Sequence, residues 1–247
     1  MPSRTGPPSA AGRWSLLPDL ETDVTRRAHA SAEALLERHG VVTRGAVMSE
    51  RVPGGFAGVY KVLAAFEDSG RCRRGYFIGS LGAAQFGVPG AVDRLRSFSS
   101  DVGAPPGGKK QALALAATDP ANPFGAALSW PDRVAEAEEA TGERKASGHR
   151  PGRKAGALVV LVDGELAMYV ERGGRTLLTF ATDGDIQHLA VEALATAVRQ
   201  GALGRLTVER ADGESILGRG ERSSGLRAAL EASGFVVTPQ GLRLRSH

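Results

Sequence analysis

The stretch from Asp23 to Val88 is punctuated at close intervals, and this constrains the fold more than any other feature of the chain. Asp23 can cap a helix whose apolar positions, Val24, Ala28, Ala32, Leu35 and Leu36, fall near i, i+4 and i+7 spacing, and Gly40 ends it. Thr43 can cap a short second helix through about Glu50. Pro53-Gly54-Gly55 is a turn. Phe56, Val59, Leu63 and Phe66 then repeat with helical period until Gly70. Arg71 to Ile78 reads as a strand, with Ala83 to Val88 as its return after Gly79-Ser80.

Three short helices followed by a hairpin is the order of a winged helix, a helix-turn-helix variant whose third helix usually enters the major groove of DNA. The distribution of charge bears on this directly. Residues 23–100 hold 11 basic and 7 acidic side chains, whereas residues 156–247 hold 10 and 11. The excess of positive charge therefore sits in the first folded segment, although the whole chain has a net charge of only +4. Arginine outnumbers lysine 26 to 5, even in the near-neutral second half, so local clustering counts for more than the total. Arg71, Arg73 and Arg74 cluster where the third helix gives way to the hairpin, with Tyr76 and Phe77 next. Arg71 and Arg73 flank Cys72, so strand alternation predicts that they share a face. Lys61 lies off the apolar stripe of the third helix, as do Ala57 and Gly58. Such cations would neutralise phosphates and give a salt-sensitive affinity. Gly54, Gly55 and Gly58 would let backbone approach a phosphate closely. The competing reading is a solvated basic surface on a winged helix that binds protein.

The remainder alternates strands and helices. Ala112 to Ala117, Ala157 to Val162, Glu165 to Val170 and Arg175 to Phe180 read as strands, with hairpin turns at Asp163-Gly164 and Gly173-Gly174. A helix from about Gly184 to Gln200 carries Ile186, Leu189, Ala190, Ala193, Leu194 and Ala197 on one face. Leu206 to Arg210 and Ser215 to Leu217 read as a hairpin around Asp212-Gly213. A short helix holding Leu226, Ala229 and Leu230 ends at Gly234, and strands Phe235 to Thr238 and Leu242 to Arg245 follow. The predicted fold class is α+β: a winged helix, then an α+β domain with an antiparallel sheet or barrel-like closure. The expected organisation is a flexible tail over 1–22, the winged helix over 23–97, a linker over 98–110 and the second domain over 111–247. Trp14, Leu16 and Leu17 are expected to dock the tail onto the body. Thr141 to Lys154 reads as an exposed basic loop, in which Arg150, Arg153 and Lys154 would form a secondary DNA-binding patch.

Other chemistry finds little support. No run of about 18 apolar residues occurs, so no membrane partner is expected. Met1 to Gly12 lacks the apolar stretch of a signal peptide, so the expected location is cytoplasmic. The single cysteine, Cys72, excludes an intramolecular disulfide; its arginine neighbours would favour the thiolate, but a structural strand cysteine is the simpler reading. Gly103 to Lys110 fits the first seven positions of a phosphate loop, but Lys110 replaces the Mg²⁺-binding Ser or Thr, and two prolines interrupt it. It reads as linker. His29, His39, His149, His188 and His247 lack metal-ligand spacing. Asp93, Asp119 and Glu171 stand near turns or strand ends, where surface ion pairs or caps are the expectation. No metal site, catalytic residue or cofactor is assigned.

Several stretches together resemble the C-terminal region of Lhr-type (large helicase-related) bacterial superfamily 2 DNA helicases. They are Gly12 to Pro18, Arg38 to Arg44, Gly54 to Tyr60, Gly70 to Phe77, Leu81 to Phe86, Pro89 to Arg96, Ala116 to Gly125, Gly148 to Lys154 and Thr238 to Arg245. The resemblance spans about residues 12–245, and the order and number of the motifs make it specific. It implies a winged helix and a barrel-like module similar in architecture to winged-helix DNA glycosylases, with a link to DNA repair. In that family a DNA-dependent ATPase motor lies N-terminal to this region, so ATP and Mg²⁺ are expected only through a motor absent from this chain, which looks like a separated or truncated tail. Ile78-Gly79-Ser80-Leu81 stands where the family pattern would carry an acidic residue, and Arg245-Ser246-His247 offers no carboxylate side chain.

The expected function is a DNA-binding accessory module acting on single-stranded DNA or duplex junctions through Lys61, Arg71, Arg73, Arg74, Arg150, Arg153 and Lys154. A homo-oligomer or a separately encoded helicase motor would be its protein partner. The alternatives are a base-excision glycosylase-like enzyme and an oligomerisation module.

Overall fold

Asp23 folds its carboxylate back onto the amides of Thr25 and Arg26 at 2.7 and 3.2 Å, and helix α1 (Val24–His39) starts there. It is the first element of a computed structural model that describes residues 15–82, 84–98, 109–132, 149–201, 205–218 and 221–245. Gly40, at φ 66°, stops α1 in a conformation that costs other residues steric strain. Strand β1 (Val41–Val42) follows, then helix α2 (Arg44–Ser49), whose first turn is capped by the Thr43 hydroxyl accepting from the Ala46 amide. Helix α3 (Gly55–Asp68) packs Val59, Leu63 and Phe66 against Ala32, Leu35 and Leu36 of α1 and against Val42, Val47, Cys72 and Phe86. Leu63 is fully buried, so trimming it to alanine would cost about 2–5 kcal/mol.

The hairpin is shorter than its sequence pattern. Strand β2 (Arg73–Gly75) pairs with β3 (Gln85–Gly87), and β3 also pairs with β1, giving the sheet order β1-β3-β2. The two-residue β1 is too short to show strand periodicity, and only its pairing with Phe86 and Gly87 reveals it. Helix α4 (Ala91–Ser97) follows and buries none of its residues. The expected docking of the N-terminal tail is not seen: Leu16 and Leu17 are 99% and 88% exposed, and Trp14 lies outside the described residues.

The second half holds two sheets. Strands β4 (Ala112–Ala116), β5 (Leu158–Val162), β6 (Glu165–Val170) and β7 (Thr176–Thr179) pair antiparallel in chain order. Asp163 and Gly164, both at positive φ, make the tight turn between β5 and β6 that the sequence predicts. Helix α5 (Gly184–Arg199) buries Ala190, Val191, Leu194, Ala195 and Val198. Its apolar face is therefore rotated from the expected one: Ile186, Leu189 and Ala193 sit at the margin, and Val191 and Val198 are at the centre. Val191 and Val198 sit seven positions apart on the side that meets the sheet, which alanine-rich periodicity does not single out.

The expected hairpin over 206–217 is divided between sheets. Strand β8 (Arg205–Val208) joins β12 (Gly241–Arg245) and β11 (Val236–Thr238) in the order β11-β12-β8. Only β9 (Arg210–Ala211) and β10 (Glu214–Ser215) form the hairpin at Asp212-Gly213, and β9 runs parallel to β7. Helix α6 (Glu221–Ala232) lies between β10 and β11 in the chain. The six-stranded sheet runs β10-β9-β7-β6-β5-β4, and no closed barrel forms among the described residues. The chain switches sheets between Val208 and Arg210, which leaves β4 and the two-residue β10 as separate edges. The run Leu158 to Val162 is buried on both faces: Leu158, Val160 and Val162 meet α5, while Val159 and Leu161 meet Phe124 and Tyr169 in a second core. The α+β class stands, and the barrel-like expectation gives way to two open sheets.

Candidate nucleic-acid interface

With Val59, Leu63 and Phe66 turned inward, α3 leaves Ala57, Gly58 and Lys61 exposed, as the stripe predicts. Gly54 precedes the helix at φ 79° and Gly55 opens it at φ 57°, so both glycines are needed by the turn itself. Beside α2 and the N-terminal half of α3 lies an open groove of about 600 Å³. Met48, Gly54, Phe56 and Tyr60 line it, with Arg44 and Lys61 as its charged residues and no carboxylate among the described residues that line it. The Phe56 and Tyr60 rings meet edge to face at 5.9 Å, and Tyr60 meets the buried Phe86 at 5.4 Å. The Tyr60 hydroxyl accepts a 2.6 Å hydrogen bond from the Arg74 guanidinium, which ties the groove to the wing.

The three wing arginines separate. Arg71 lies outside the strand and turns to α1, where its guanidinium donates to Glu33, lies 3.4 Å from the His29 ring nitrogen and stacks 4.2 Å above the Phe66 ring. That hydrogen bond holds the Glu33 carboxyl below the ordinary carboxylate range. Arg74 turns to α3 and pairs with Glu67 at 3.0 Å as well as with Tyr60. Arg73 is exposed, and its side chain has no ion pair or hydrogen bond among the described residues. Arg71 precedes the strand, which starts at Arg73, while burial alternates through this stretch, with Arg71 and Arg73 exposed on either side of the buried Cys72. Between them Cys72 is buried, and burial pushes its thiol pKa up against the opposing pull of Arg71. The thiolate-favouring effect read from its neighbours is thereby overridden.

Gln85 organises the wing. Its buried amide accepts from the amides of Phe77 and Ile78 at 3.0 and 2.9 Å and donates to the Ile78 carbonyl at 2.8 Å. This holds the backbone next to Tyr76, whose ring is 81% exposed.

The secondary patch divides in the same way. Arg150 and Lys154 are exposed, with no side-chain partner among the described residues. Arg153 is engaged internally: its guanidinium donates to the carbonyls of Asn122, Thr118 and Asp119 at 2.7 to 3.1 Å and reaches that of Phe124 at 3.4 Å. It staples the loop after β4 and is not available to a phosphate. Much of the expected basic loop, with Arg144 and Lys145, lies outside the described residues, as do Gly103 to Gly108 of the phosphate-loop-like stretch and His247.

The remaining candidates have structural partners. His29, His39, His149 and His188 each contact a glutamate, at 2.6 to 3.5 Å. Asp93 pairs with Arg96, Asp119 accepts from the Ala121 amide, and Glu171 pairs with His149. No group of three metal-ligating side chains occurs among the described residues, and no described helix is long and apolar enough to cross a membrane. Sequence reasoning missed Arg44, Met48 and Phe56. The helical stripe does not distinguish the half-buried Phe56 from the buried Val59, Leu63 and Phe66, and Arg44 carries no signal beyond its place at the start of a helix.

Residues 21–106 match the winged-helix domain of the large helicase-related protein. Over 241 residues the chain is 53% identical to a Mycolicibacterium smegmatis protein named Lhr helicase/probable uracil glycosylase, covering 96% of this chain and 15% of that protein. Over 238 residues it is 36% identical to the Lhr helicase/uracil glycosylase of Escherichia coli, covering 95% of this chain and 14% of that protein. The chain thus spans about a seventh of the length of these curated relatives.

Proposed function

From the premise that this chain belongs, through residues 21–106, to the winged-helix domains of large helicase-related proteins, we propose that it is a DNA-binding accessory module linked to repair. ATP and Mg²⁺ chemistry would belong to a helicase motor outside residues 1–247. The observation that carries this reading is three exposed cations at the groove and wing that have no side-chain partner among the described residues: Arg44 and Lys61 at the groove and Arg73 on the wing. An unpaired, solvated cation can exchange its counterion for a phosphate without first breaking a protein ion pair. Arg71 and Arg74 are already held by carboxylates and play a smaller part. Arg150 and Lys154 supply a second contact, and Arg153 serves the fold. Titrating a fluorescent DNA junction with the full chain tests this. Binding that weakens steeply with salt, and weakens further in an Arg44/Lys61/Arg73→Ala variant, is expected. Equal binding by parent and variant at two salt concentrations would remove these residues from the interface.

A second reading, a base-excision glycosylase, is favoured by the names of both relatives, each of which includes uracil glycosylase. Such chemistry needs a carboxylate to activate water or stabilise the sugar cation. Glu171, paired at 2.9 Å with His149 beside Arg150, is the carboxylate to test. Incubation with uracil-containing DNA followed by alkaline cleavage reads the outcome. An abasic product lost in Glu171→Gln supports the assignment, and no product from the parent chain ends it.

A further inference from the structure

The outer side of α3 is poorly equipped to read a duplex. Base-edge recognition in the major groove uses side chains such as Arg, Lys, Asn, Gln, Ser and Thr near the N-terminus of the recognition helix. From Gly55 to Ala65 the helix carries only one of these, Lys61. Its polar side chains there are Tyr60, whose hydroxyl is held by Arg74, and Lys61. Its C-terminal end carries the exposed Asp68, which would repel a phosphate backbone, and Glu67, already paired with Arg74. The same surface is well equipped for something else. Met48, 58% exposed, and the half-buried Phe56 and Tyr60 offer apolar and aromatic surface, and Arg44 and Lys61 place unpaired positive charge on the same groove. Its volume of about 600 Å³ falls within the ~300–1,000 Å³ typical of clefts that hold small organic groups. Tyr60 is braced by Phe86 on one side and Arg74 on the other, so the aromatic pair is positioned before any ligand arrives.

We propose that this groove takes an unpaired base of single-stranded DNA, stacked on Phe56, with Arg44 and Lys61 meeting the adjoining phosphates. The proposal rests on the DNA-binding reading above and specifies the form of DNA that the winged helix grips. Apolar surface with two unpaired cations and no anion matches a base with its flanking phosphates. Stacking needs no particular base, so binding is independent of sequence.

The test uses the full chain and three fluorescent probes of equal length: a thymidine strand, the same backbone with abasic residues, and a duplex. The thymidine strand should bind most tightly, on the order of tenfold better than the abasic strand. Phe56→Leu, which keeps apolar bulk but removes the aromatic face, should abolish that difference and leave abasic and duplex binding unchanged. Circular dichroism checks that the variant is folded, and Met48→Ala, at a more exposed position, provides a second variant expected to weaken only the thymidine strand. If none of the probes binds, the DNA-binding reading itself fails. If the chain binds DNA but does not distinguish thymidine from abasic strands, the groove assignment alone is overturned. Concentration-dependent self-association lost in Phe56→Leu, with no base dependence, would assign the groove to a second copy of the chain instead.

Discussion

Replacing Arg73 by alanine should flatten the salt dependence of DNA binding, and replacing Arg71 should not. The two residues are two positions apart and carry the same charge, so composition treats them alike. The structure distinguishes them: Arg73 has no side-chain partner among the described residues, whereas Arg71 is paired with Glu33 and stacked on Phe66. On single strands each phosphate neutralised contributes about 0.7 to the slope of log affinity against log salt. The three contacts at the groove and wing, Arg44, Lys61 and Arg73, then contribute about −2 to the slope, an affinity loss of about 20-fold between about 50 and 200 mM salt, to which the second contact through Arg150 and Lys154 adds. Arg73→Ala should bring this contribution to about −1.4 and about sevenfold, flattening the total slope by about 0.7. Arg71→Ala should leave the slope of the parent, because Arg71 binds a carboxylate before and after DNA arrives. Fluorescence anisotropy with a labelled thymidine strand at four or five salt concentrations measures these slopes. Equal flattening by the two variants would refute the idea that prior ion pairing decides which arginines serve the interface.

Three other outcomes follow from the local geometry. Arg153→Met should lower the stability of the chain by about 2 kcal/mol, seen as a reduced urea midpoint, because it leaves the carbonyls of the stapled loop without their donor. Arg150→Ala should shift the same midpoint by no more than about 0.5 kcal/mol. Cys72, buried and with its thiol pKa raised, should react with a disulfide reagent only after denaturant is added; rapid labelling of the native protein would contradict its placement. Asp183 caps α5, and the amides of Ile186 and Asp185 hold its carboxyl below the ordinary range. A lowered folded-state pKa means that its contribution is present at neutral pH and lost as pH falls through that value. The melting temperatures of parent and Asp183→Ala should therefore differ at pH 7 and converge in acid. A gap that stays constant with pH would mean that the carboxylate charge is not what caps the helix.

Local signals carried a large part of the fold. Helix caps at Asp23 and Thr43, the glycine stops at Gly40 and Gly70, and the Asp163-Gly164 turn act within a few residues, so their consequences can be read without knowing what lies across the molecule. The winged-helix order and the continuous apolar β5 were legible for the same reason, as was the family resemblance, which depends on motif order. Pairing between distant segments was not. β1 is a strand only because β3 lies beside it. The stretch from Leu206 to Leu217 read as one hairpin, but β8 found β12 and β9 found β7, a choice made by the packing of two sheets around α5. The interface divides along the same line. The basic cluster at 71–74 is a property of the sequence, but whether each arginine is available depends on the carboxylates of α1 and α3 that the fold brings to it. Glu33 and Glu67 are 38 and 7 residues from the arginines they hold. The sequence alone determined most of the helices, the caps at Asp23 and Thr43, the charge of the first segment and the family resemblance, while α4 gave no such signal. Only the tertiary structure decided which cations remained free, because an ion pair between distant residues depends on distance in space and leaves no spacing pattern along the chain.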